Sequence, residues 1–224
     1  MINVKRNEYD RMVLARIALV TALNLLGGLT LGIAYAQEPP QQQEEWSIYQ
    51  NATYGVRVLY PSNWTQQNST APEDDRFILV SEFFSPEDAN GYFADVTIAI
   101  DSMPQTTSIE SYRSQSIDIY RQDSNFEDLQ LLSSSVGNFT LAAGAAAGGT
   151  ENATDSMPAY AFEITYTDPE FGPQNMLEIG TIFDNRVYYI QYFADPPIYQ
   201  KYFPIVERMI ESFQIVSNGS SEGG

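Results

Sequence analysis

The chain has 224 residues, of which 43% are hydrophobic and 13% aromatic, and this composition supports a sizeable core and argues against global disorder. It contains no cysteine and no histidine, which excludes disulfides, thiol nucleophiles, imidazole bases and nearly all zinc, copper and haem sites. The formal net charge is −18, and so acidic a surface repels nucleic acid and anionic lipid, so we predict no nucleic-acid partner.

The N-terminal segment, residues 1–36, has the three parts of a secretory signal peptide. A basic start precedes an uncharged stretch, residues 17–36, which ends in an A-x-A triplet. The alternative is an uncleaved membrane anchor, since about 18 apolar residues can cross a bilayer. In both cases the rest of the chain is exported, so we predict an extracellular or cell-surface location, with membrane contact only through an uncleaved segment.

The remaining chain divides by composition into three parts. Residues 37–45 are polar and proline-containing and are predicted to be a linker. Residues 46–216 carry the folded domain, and residues 217–224 are predicted to be a disordered tail. Within the domain, the Gly/Ala-rich residues 142–158 lack the patterns of a phosphate-binding loop and are predicted to be a mobile insertion.

Six Asn-x-Ser/Thr sequons lie in this exported part and indicate N-glycosylation. The alternative is a surface rich in Asn, Ser and Thr whose sequons are unused. Asn63 is set aside, because Trp64 beside it is expected to be an anchor in the core. The glycosylation candidates are Asn51, Asn68, Asn138, Asn152 and Asn218.

Hydrophobic periodicity predicts a series of strands and two helices. The predicted strands are 54–60, 76–84, 92–100, an edge strand with a break over 129–132 and 136–141, then 159–167, 176–183 and 186–193. Asp184-Asn185 fits a type I′ turn, and the hairpin it closes is predicted to be the centre of the sheet. Ser108 is predicted to cap a helix. A last helix is predicted over 198–213, in which Pro204 should either cause a kink or begin the regular part.

Residues that could carry chemistry are few, and no catalytic residue is predicted. Three acidic clusters could supply oxygen ligands for Ca²⁺, but none has EF-hand spacing, so solvated loops are the preferred interpretation and no cofactor is predicted apart from a possible role for Ca²⁺. The clusters are the metal candidates Glu73, Asp74 and Asp75, then Glu87-Asp88, and Asp168 with Glu170.

Two further sets of side chains are considered for catalysis or binding. Asp95 and Glu163 alternate with core residues in strands and are interpreted as ordinary surface groups, which leaves carboxylate-dependent hydrolysis as a weak alternative. Tyr188 and Tyr192 are predicted to line a groove or an interface.

The stretch from Tyr54-Gly55 to Tyr60-Pro61 and Trp64 resembles the opening of the PsbP-like domain. Later landmarks follow in the same order: Phe84-Ser85-Pro86, Val96-Thr97-Ile98, Ser108-Ile109-Glu110-Ser111-Tyr112, Pro158-Ala159-Tyr160, Val187-Tyr188-Tyr189-Ile190 and Met209-Ile210-Glu211-Ser212-Phe213. The resemblance covers residues 46–216 and implies an α+β fold, a central antiparallel β-sheet with helices packed on both faces (a PsbP-like α/β/α sandwich). The export signal, sequons and acidity resemble the versions found in ammonia-oxidising archaea.

Plant and cyanobacterial members of the family are extrinsic proteins of photosystem II that support calcium and chloride retention. They dock through basic N-terminal residues and their proposed metal ligands include histidine, whereas here residues 37–45 are acidic and histidine is lacking. We therefore predict a secreted or surface-held, non-enzymatic PsbP-like binding or accessory domain with an unknown protein partner. The alternative is an extracytoplasmic subunit that docks on a membrane complex and assists Ca²⁺ retention.

Overall fold

Ten strands and two helices form the part of the chain that this computed structural model describes, residues 45–69, 77–103, 107–139 and 157–216. In chain order the elements are β1 (Trp46–Asn51), β2 (Val56–Pro61), β3 (Thr65–Asn68), β4 (Phe77–Phe84), β5 (Ala94–Ser102), α1 (Ile109–Gln122), β6 (Glu127–Phe139), β7 (Met157–Asp168), β8 (Gly172–Phe183), β9 (Arg186–Ala194), α2 (Pro196–Ser212) and β10 (Gln214–Ile215).

Seven of these strands form one antiparallel sheet in the order β3-β4-β5-β9-β8-β7-β6. The β8–β9 hairpin turns at Asp184 and Asn185, which both have positive φ (48° and 58°), as a type I′ turn requires. β9 is the fourth of the seven strands, so the predicted central position of the hairpin is confirmed. β6 lies at an edge, so the predicted edge position is also confirmed. The predicted break at residues 133–135 is wrong, because β6 is one strand whose register shifts lie before Ser133.

The other three strands form a separate small sheet in the order β1-β2-β10. β2 corresponds to the strand predicted over residues 54–60. It belongs to this small sheet and not to the large one. Gly55 precedes it with φ +65°, and a Cβ there would lie 2.4 Å from the backbone oxygen of Val216. The Val216 amide in turn donates to the Gly55 carbonyl at 2.7 Å, so this position of the opening motif requires glycine.

The small sheet and α2 bury their apolar side chains in one cluster with the large sheet. Trp64 is 5% exposed and its ring lies 5.8 Å from that of Tyr202, which confirms it as a core anchor. α2 starts with Pro196 and Pro197 and continues through Pro204 to Ser212. Of the two alternatives predicted for Pro204, the one in which the regular part begins there is therefore wrong.

The predicted α/β/α sandwich with helices packed on both faces of the sheet is wrong. Among the described residues there are only two helices, and the small sheet shares with α2 the covering of one face. On the other face α1 packs against β6 and β7. The fold is α+β but consists mostly of antiparallel strands in two sheets. It differs from the prediction because β1, β3 and β10 are strands that the periodicity did not indicate.

Neither of the described helices has the length and apolar character needed to cross a membrane. The predicted signal peptide or anchor over 1–36 and the tail over 217–224 lie outside the described residues. So do all but the last residue of the predicted linker over 37–45 and nearly all of the predicted insertion over 142–158.

Candidate functional site

Polar and aromatic side chains share the face of the large sheet on which α1 lies, which we call the α1 face. The strand register places Glu82, Thr97, Gln191, Glu178 and Phe162 side by side in one row across β4, β5, β9, β8 and β7. Strand alternation sends all five side chains to the same face. One acid of this row therefore lies at the centre of the sheet and the other near its β3 edge.

The central acid is the middle of a hydrogen-bonded group that we call the Glu178 cluster, formed by Glu178, Tyr120, Tyr160 and Gln191. Glu178 is 1% exposed. Its Oε1 accepts a hydrogen bond from the Tyr160 hydroxyl at 2.6 Å. Its Oε2 accepts from the Tyr120 hydroxyl and from Gln191 Nε2, each at 2.8 Å. Gln191 also donates to the Tyr120 hydroxyl at 2.5 Å.

Burial dominates the electrostatics of the Glu178 cluster. It raises the pKa of Glu178, although the bonds from Tyr160, Gln191 and Tyr120 oppose that rise. Burial and then the neighbouring Glu178 carboxyl raise the pKa of Tyr120 and of Tyr160 well above the usual value for tyrosine. Both hydroxyls therefore stay protonated and remain donors to the carboxyl group.

The packing beneath the cluster depends on Gly180. Met176, Glu178, Gly180 and Ile182 alternate onto the α1 face, and a Cβ at Gly180 would lie 2.8 Å from Tyr160 Cε1 and 2.9 Å from the Tyr160 hydroxyl oxygen. Glu178 is not one of the predicted site residues. The available signal was an acid in alternation with Met176 and Ile182, both of which pack on this face.

The acid near the β3 edge belongs to a second group, which we call the acidic–aromatic patch: Glu82, Phe84, Phe93 and Asp95. Asp95 pairs with Phe84 in the β4–β5 ladder, and the Phe84 and Phe93 rings are 6.1 Å apart. Phe93 is 36% exposed. The patch therefore combines carboxylates with a partly exposed aromatic surface.

Asp95 has an unusual environment for an acid at neutral pH. Its Oδ1 is inaccessible to solvent and has no hydrogen-bond partner among the described residues. Burial, and then repulsion from Glu82, raise the pKa of Asp95 to about 7, and a hydrogen bond with Thr97 opposes the rise. The interpretation of Asp95 as an ordinary surface group is wrong.

Other predicted positions are also buried. Glu163 is partly buried on the opposite face, where burial raises its pKa, so it is not an ordinary surface group either. Tyr188 is 6% exposed and Tyr192 is fully buried, with its hydroxyl donating to the Tyr199 carbonyl at 2.7 Å. The prediction that Tyr188 and Tyr192 line a groove is therefore wrong.

The predicted calcium ligands are not brought together in the part of the chain that the structure describes. Glu73, Asp74 and Asp75 lie outside it. Asp88 Oδ1 accepts from the amides of Asn90 and Tyr92, and Asp168 Oδ1 accepts from those of Glu170 and Phe171, so both acids organise turns. The described ranges contain no group of three acidic, histidine or cysteine side chains placed to hold a metal ion.

Three glycosylation candidates lie among the described residues. Asn51 ends β1, Asn68 ends β3 and is exposed, and Asn138 lies in β6 opposite Pro158. Asn152 and Asn218 are outside the described ranges. Glycosylation itself stays a prediction.

The family model described as PsbP-like protein matches residues 34–215. The chain belongs to the PsbP-like family. The predicted family resemblance is thus confirmed. No curated protein sequence is significantly similar to this chain.

Solved structures similar to this PsbP-like chain have low sequence identity to it. The solution structure of cyanobacterial PsbP from Synechocystis sp. PCC 6803 has a TM-score of 0.54 and 10% identity, covering 86% of this chain and 98% of that one. A Pseudomonas aeruginosa protein of unknown function has a TM-score of 0.48 and 11% identity, covering 75% and 94%. The Saccharomyces cerevisiae Ran-binding protein Mog1p has a TM-score of 0.48 and 6% identity, covering 77% and 96%.

Proposed function

We propose that this chain is an exported, non-enzymatic PsbP-like domain of the archaeal type that acts outside the cell as a binding or accessory module. It is either secreted or held at the surface by its N-terminal segment. Membership of the PsbP-like family and the signal-peptide pattern of residues 1–36 support this proposal.

The observation that carries the non-enzymatic part is the enclosure of the Glu178 cluster. A catalytic acid or base must come within hydrogen-bond reach of its substrate. Glu178 is 1% exposed, and both of its carboxyl oxygens are engaged by Tyr160, Tyr120 and Gln191. The Glu178 carboxyl group is therefore enclosed by protein groups, and its bond with Tyr120 links α1 to the sheet.

The hydrolase alternative has one feature in its favour, the raised pKa of Asp95 beside Glu82. General acid catalysis by Asp95 would need its carboxyl oxygens to reach a substrate. Its Oδ1 is shielded from solvent, so the pair is better suited to shaping a surface than to catalysis.

The binding surface that we propose is the acidic–aromatic patch. Aromatic side chains supply much of the free energy at protein interfaces, and surrounding charges select the partner. Phe93 supplies exposed ring surface, and Glu82 supplies negative charge on a chain of net charge −18. The partner that fits is a protein with a basic, partly apolar surface, such as a subunit of a membrane complex.

The experiment compares binding of two double variants of the mature protein to envelope membranes from its own cells. In the patch variant, Glu82→Gln and Phe93→Ser, we expect the apparent Kd to rise about tenfold or more, as for an interface hot spot. The matched control is Glu170→Gln with Phe171→Ser, which changes an exposed acid and an exposed aromatic residue in the turn between β7 and β8. It should bind like the parent chain.

Increasing NaCl should also weaken parent binding, because the attraction is between charges. Equal binding by the two variants would rule out the patch as the docking surface. If the parent protein does not bind the envelope at any ionic strength, the proposal of a membrane-complex partner is overturned.

A second candidate function is a docked subunit that assists Ca²⁺ retention. The acidity of the chain and the cluster Glu73, Asp74 and Asp75 favour it. A ligand that binds only the folded state raises the Tm by mass action. We expect CaCl2 to raise the Tm more than MgCl2 at equal concentration, and a Glu73→Gln, Asp74→Asn, Asp75→Asn variant to lose that difference. Equal shifts with the two cations would dismiss this role.

A further inference from the structure

Among the residues that the structure describes, every sequon asparagine that lies in a strand lies in an edge strand. Asn68 ends β3 and Asn138 is the penultimate residue of β6, and these two strands are the opposite edges of the large sheet. Asn51 ends β1, which is an edge of the small sheet. The remaining described sequon residue, Asn63, is exposed in the turn between β2 and β3.

Edge strands present unpaired backbone donors and acceptors that can template pairing with another chain, and natural proteins protect them with lysine, proline, bulges or short length. Here β1 (WSIYQN) and β3 (TQQN) carry neither charge nor proline. The fourth edge, β10, has a sequence of only two residues and no sequon. Short length thus protects β10, while β1 lacks all of these devices.

In β6 the protective features, charged residues and register shifts, are confined to the first half of the strand. Its acids, Glu127 and Asp128, and both register shifts lie between Glu127 and Ser133. Residues 133–139 then pair in continuous register with β7 and carry no charge. Asn138 lies in this otherwise unprotected half.

The two sequon asparagines on neighbouring edges are joined through one buried tyrosine. Asn51 Nδ2 donates to the Tyr49 hydroxyl at 3.3 Å, and that hydroxyl donates to Asn68 Oδ1 at 3.1 Å. Asn51 Oδ1 also accepts from the amides of Thr53 and Tyr54. These bonds fix both side-chain amides, and an oligosaccharide on Nδ2 leaves the Oδ1 atoms free to keep accepting.

We propose that N-linked oligosaccharides on Asn51, Asn68 and Asn138 cap the edges of both sheets and keep the domain monomeric. This rests on the export in the proposed function. The co-reactant is a lipid-phosphate-linked oligosaccharide. A bond forms between Nδ2 and the anomeric carbon, the bond from that carbon to the phosphate oxygen breaks, and the lipid phosphate leaves with the electron pair. Nδ2 loses one proton to a base of the transferase and keeps the other.

Capping follows from the dimensions of a sheet. A pairing strand must approach to about 4.7–4.9 Å over several residues. A hydrated oligosaccharide anchored within or at the end of an edge strand occupies that space. Three such anchors cover every described edge longer than β10.

The first test is occupancy in the protein purified from its native cells. Peptide mass spectrometry should find Asn51, Asn68 and Asn138 as glycopeptides. Exported protein with these three residues unmodified overturns this inference and leaves the proposed function standing. Protein retained inside the cell with residues 1–36 intact overturns both.

The second test removes the sequons without touching the asparagines. Thr53→Ala, Thr70→Ala and Thr140→Ala together should shift the native-source protein from monomer to self-associated species in analytical ultracentrifugation. The control is Thr65→Ala, which removes only the sequon of Asn63 and should stay monomeric. Circular dichroism with a Tm within a few degrees of the parent, a span of about 1 kcal/mol, checks that the variant folds. A triple variant that lacks glycans on Asn51, Asn68 and Asn138 but remains monomeric at the highest soluble concentration overturns the capping role.

Discussion

Three acids in strands show how one residue type behaves in different surroundings. Glu178 is enclosed but accepts three hydrogen bonds, whereas Asp95 has one oxygen with no partner among the described residues. Glu163 lies between these cases, partly buried beneath the other face. The cost of a charge at each position therefore depends on its donors rather than on its depth alone.

At the residue scale, Asp95→Asn should stabilise the protein at high pH. The folded-state pKa of Asp95 is about 7 against an ordinary value of 3.8, so the folded state holds the proton more tightly between these values. Protonated Asp95 therefore contributes to the free energy of unfolding fully below the lower pKa, and this contribution is lost as the pH rises to about 7. We expect the variant to gain about 1–3 kcal/mol at pH 8 and nothing near pH 4, from urea unfolding.

The matched control for Asp95 is Glu170→Gln, which removes an exposed acid and should change stability by less than about 0.5 kcal/mol at either pH. A gain for Asp95→Asn that is the same at pH 4 and pH 8 would contradict titration as its cause.

Gly55→Ala should destabilise the domain by about 1–3 kcal/mol, the cost of backbone strain, with more added by the contact of the new Cβ with the Val216 carbonyl. Gly91→Ala is the control, since Gly91 also has positive φ but has open space around its Cβ position. Equal losses for the two variants, measured by urea unfolding, would show that the contact with Val216 has no effect.

At the element scale, α1 is attached to the sheet by two tyrosine hydroxyls, Tyr120 donating to Glu178 at 2.8 Å and Tyr112 donating to Asp101 at 3.2 Å. Ser108 caps the helix, as predicted, by accepting from the Ser111 amide. Only Ile109, Ser116 and Ile117 of the helix are buried, and Ile119 is 64% exposed. So small an apolar face leaves the Tyr120 hydroxyl as a major link to the sheet.

Tyr120→Phe keeps the ring contacts with Phe126 and Phe162 but removes this hydroxyl. We expect a loss of about 1–3 kcal/mol, because Glu178 and Gln191 each lose a buried partner. Hydrogen exchange should accelerate in α1 while β8 and β9 stay protected. The partly buried Tyr92 serves as control through Tyr92→Phe, and uniform acceleration over all elements would contradict a local link.

Elements set by local chemistry were predictable, and those set by distant contacts were not. Asp184 and Asn185 encode their own turn, and Ser108 its own cap. β3 is four polar residues whose strand conformation depends on pairing with β4, and Glu178 is a site only because α1 brings Tyr120 to it. The acidic–aromatic patch likewise needed the β4–β5 register, which periodicity does not specify.

At the scale of the whole molecule, repulsion between acids is little compensated. The net charge is −18, and among the described residues Arg121 forms an ion pair with Asp118 at 3.0 Å. Both partners are well exposed, so this pair adds little stability. A high net charge favours solubility, but the repulsion between like charges lowers the free energy of unfolding of the compact state.

Salt should therefore raise the Tm. Between about 0.01 M and 1 M NaCl the Debye length falls from about 30 Å to about 3 Å, which screens the repulsion. We expect a rise of a few degrees, equivalent to about 1 kcal/mol, by calorimetry. KCl should act equally, and a Tm that is flat or falls with both salts would contradict self-repulsion.

The pairing of β2 with β10 has a consequence for the order of folding. Arg57 and Gln214 meet across the small sheet although 157 residues separate them in the chain. Contacts this distant in sequence close slowly, because the intervening chain must first lose its freedom. β2 thus gains its second neighbour only when β10, the last strand, is available, so an incompletely synthesised chain has no finished small sheet.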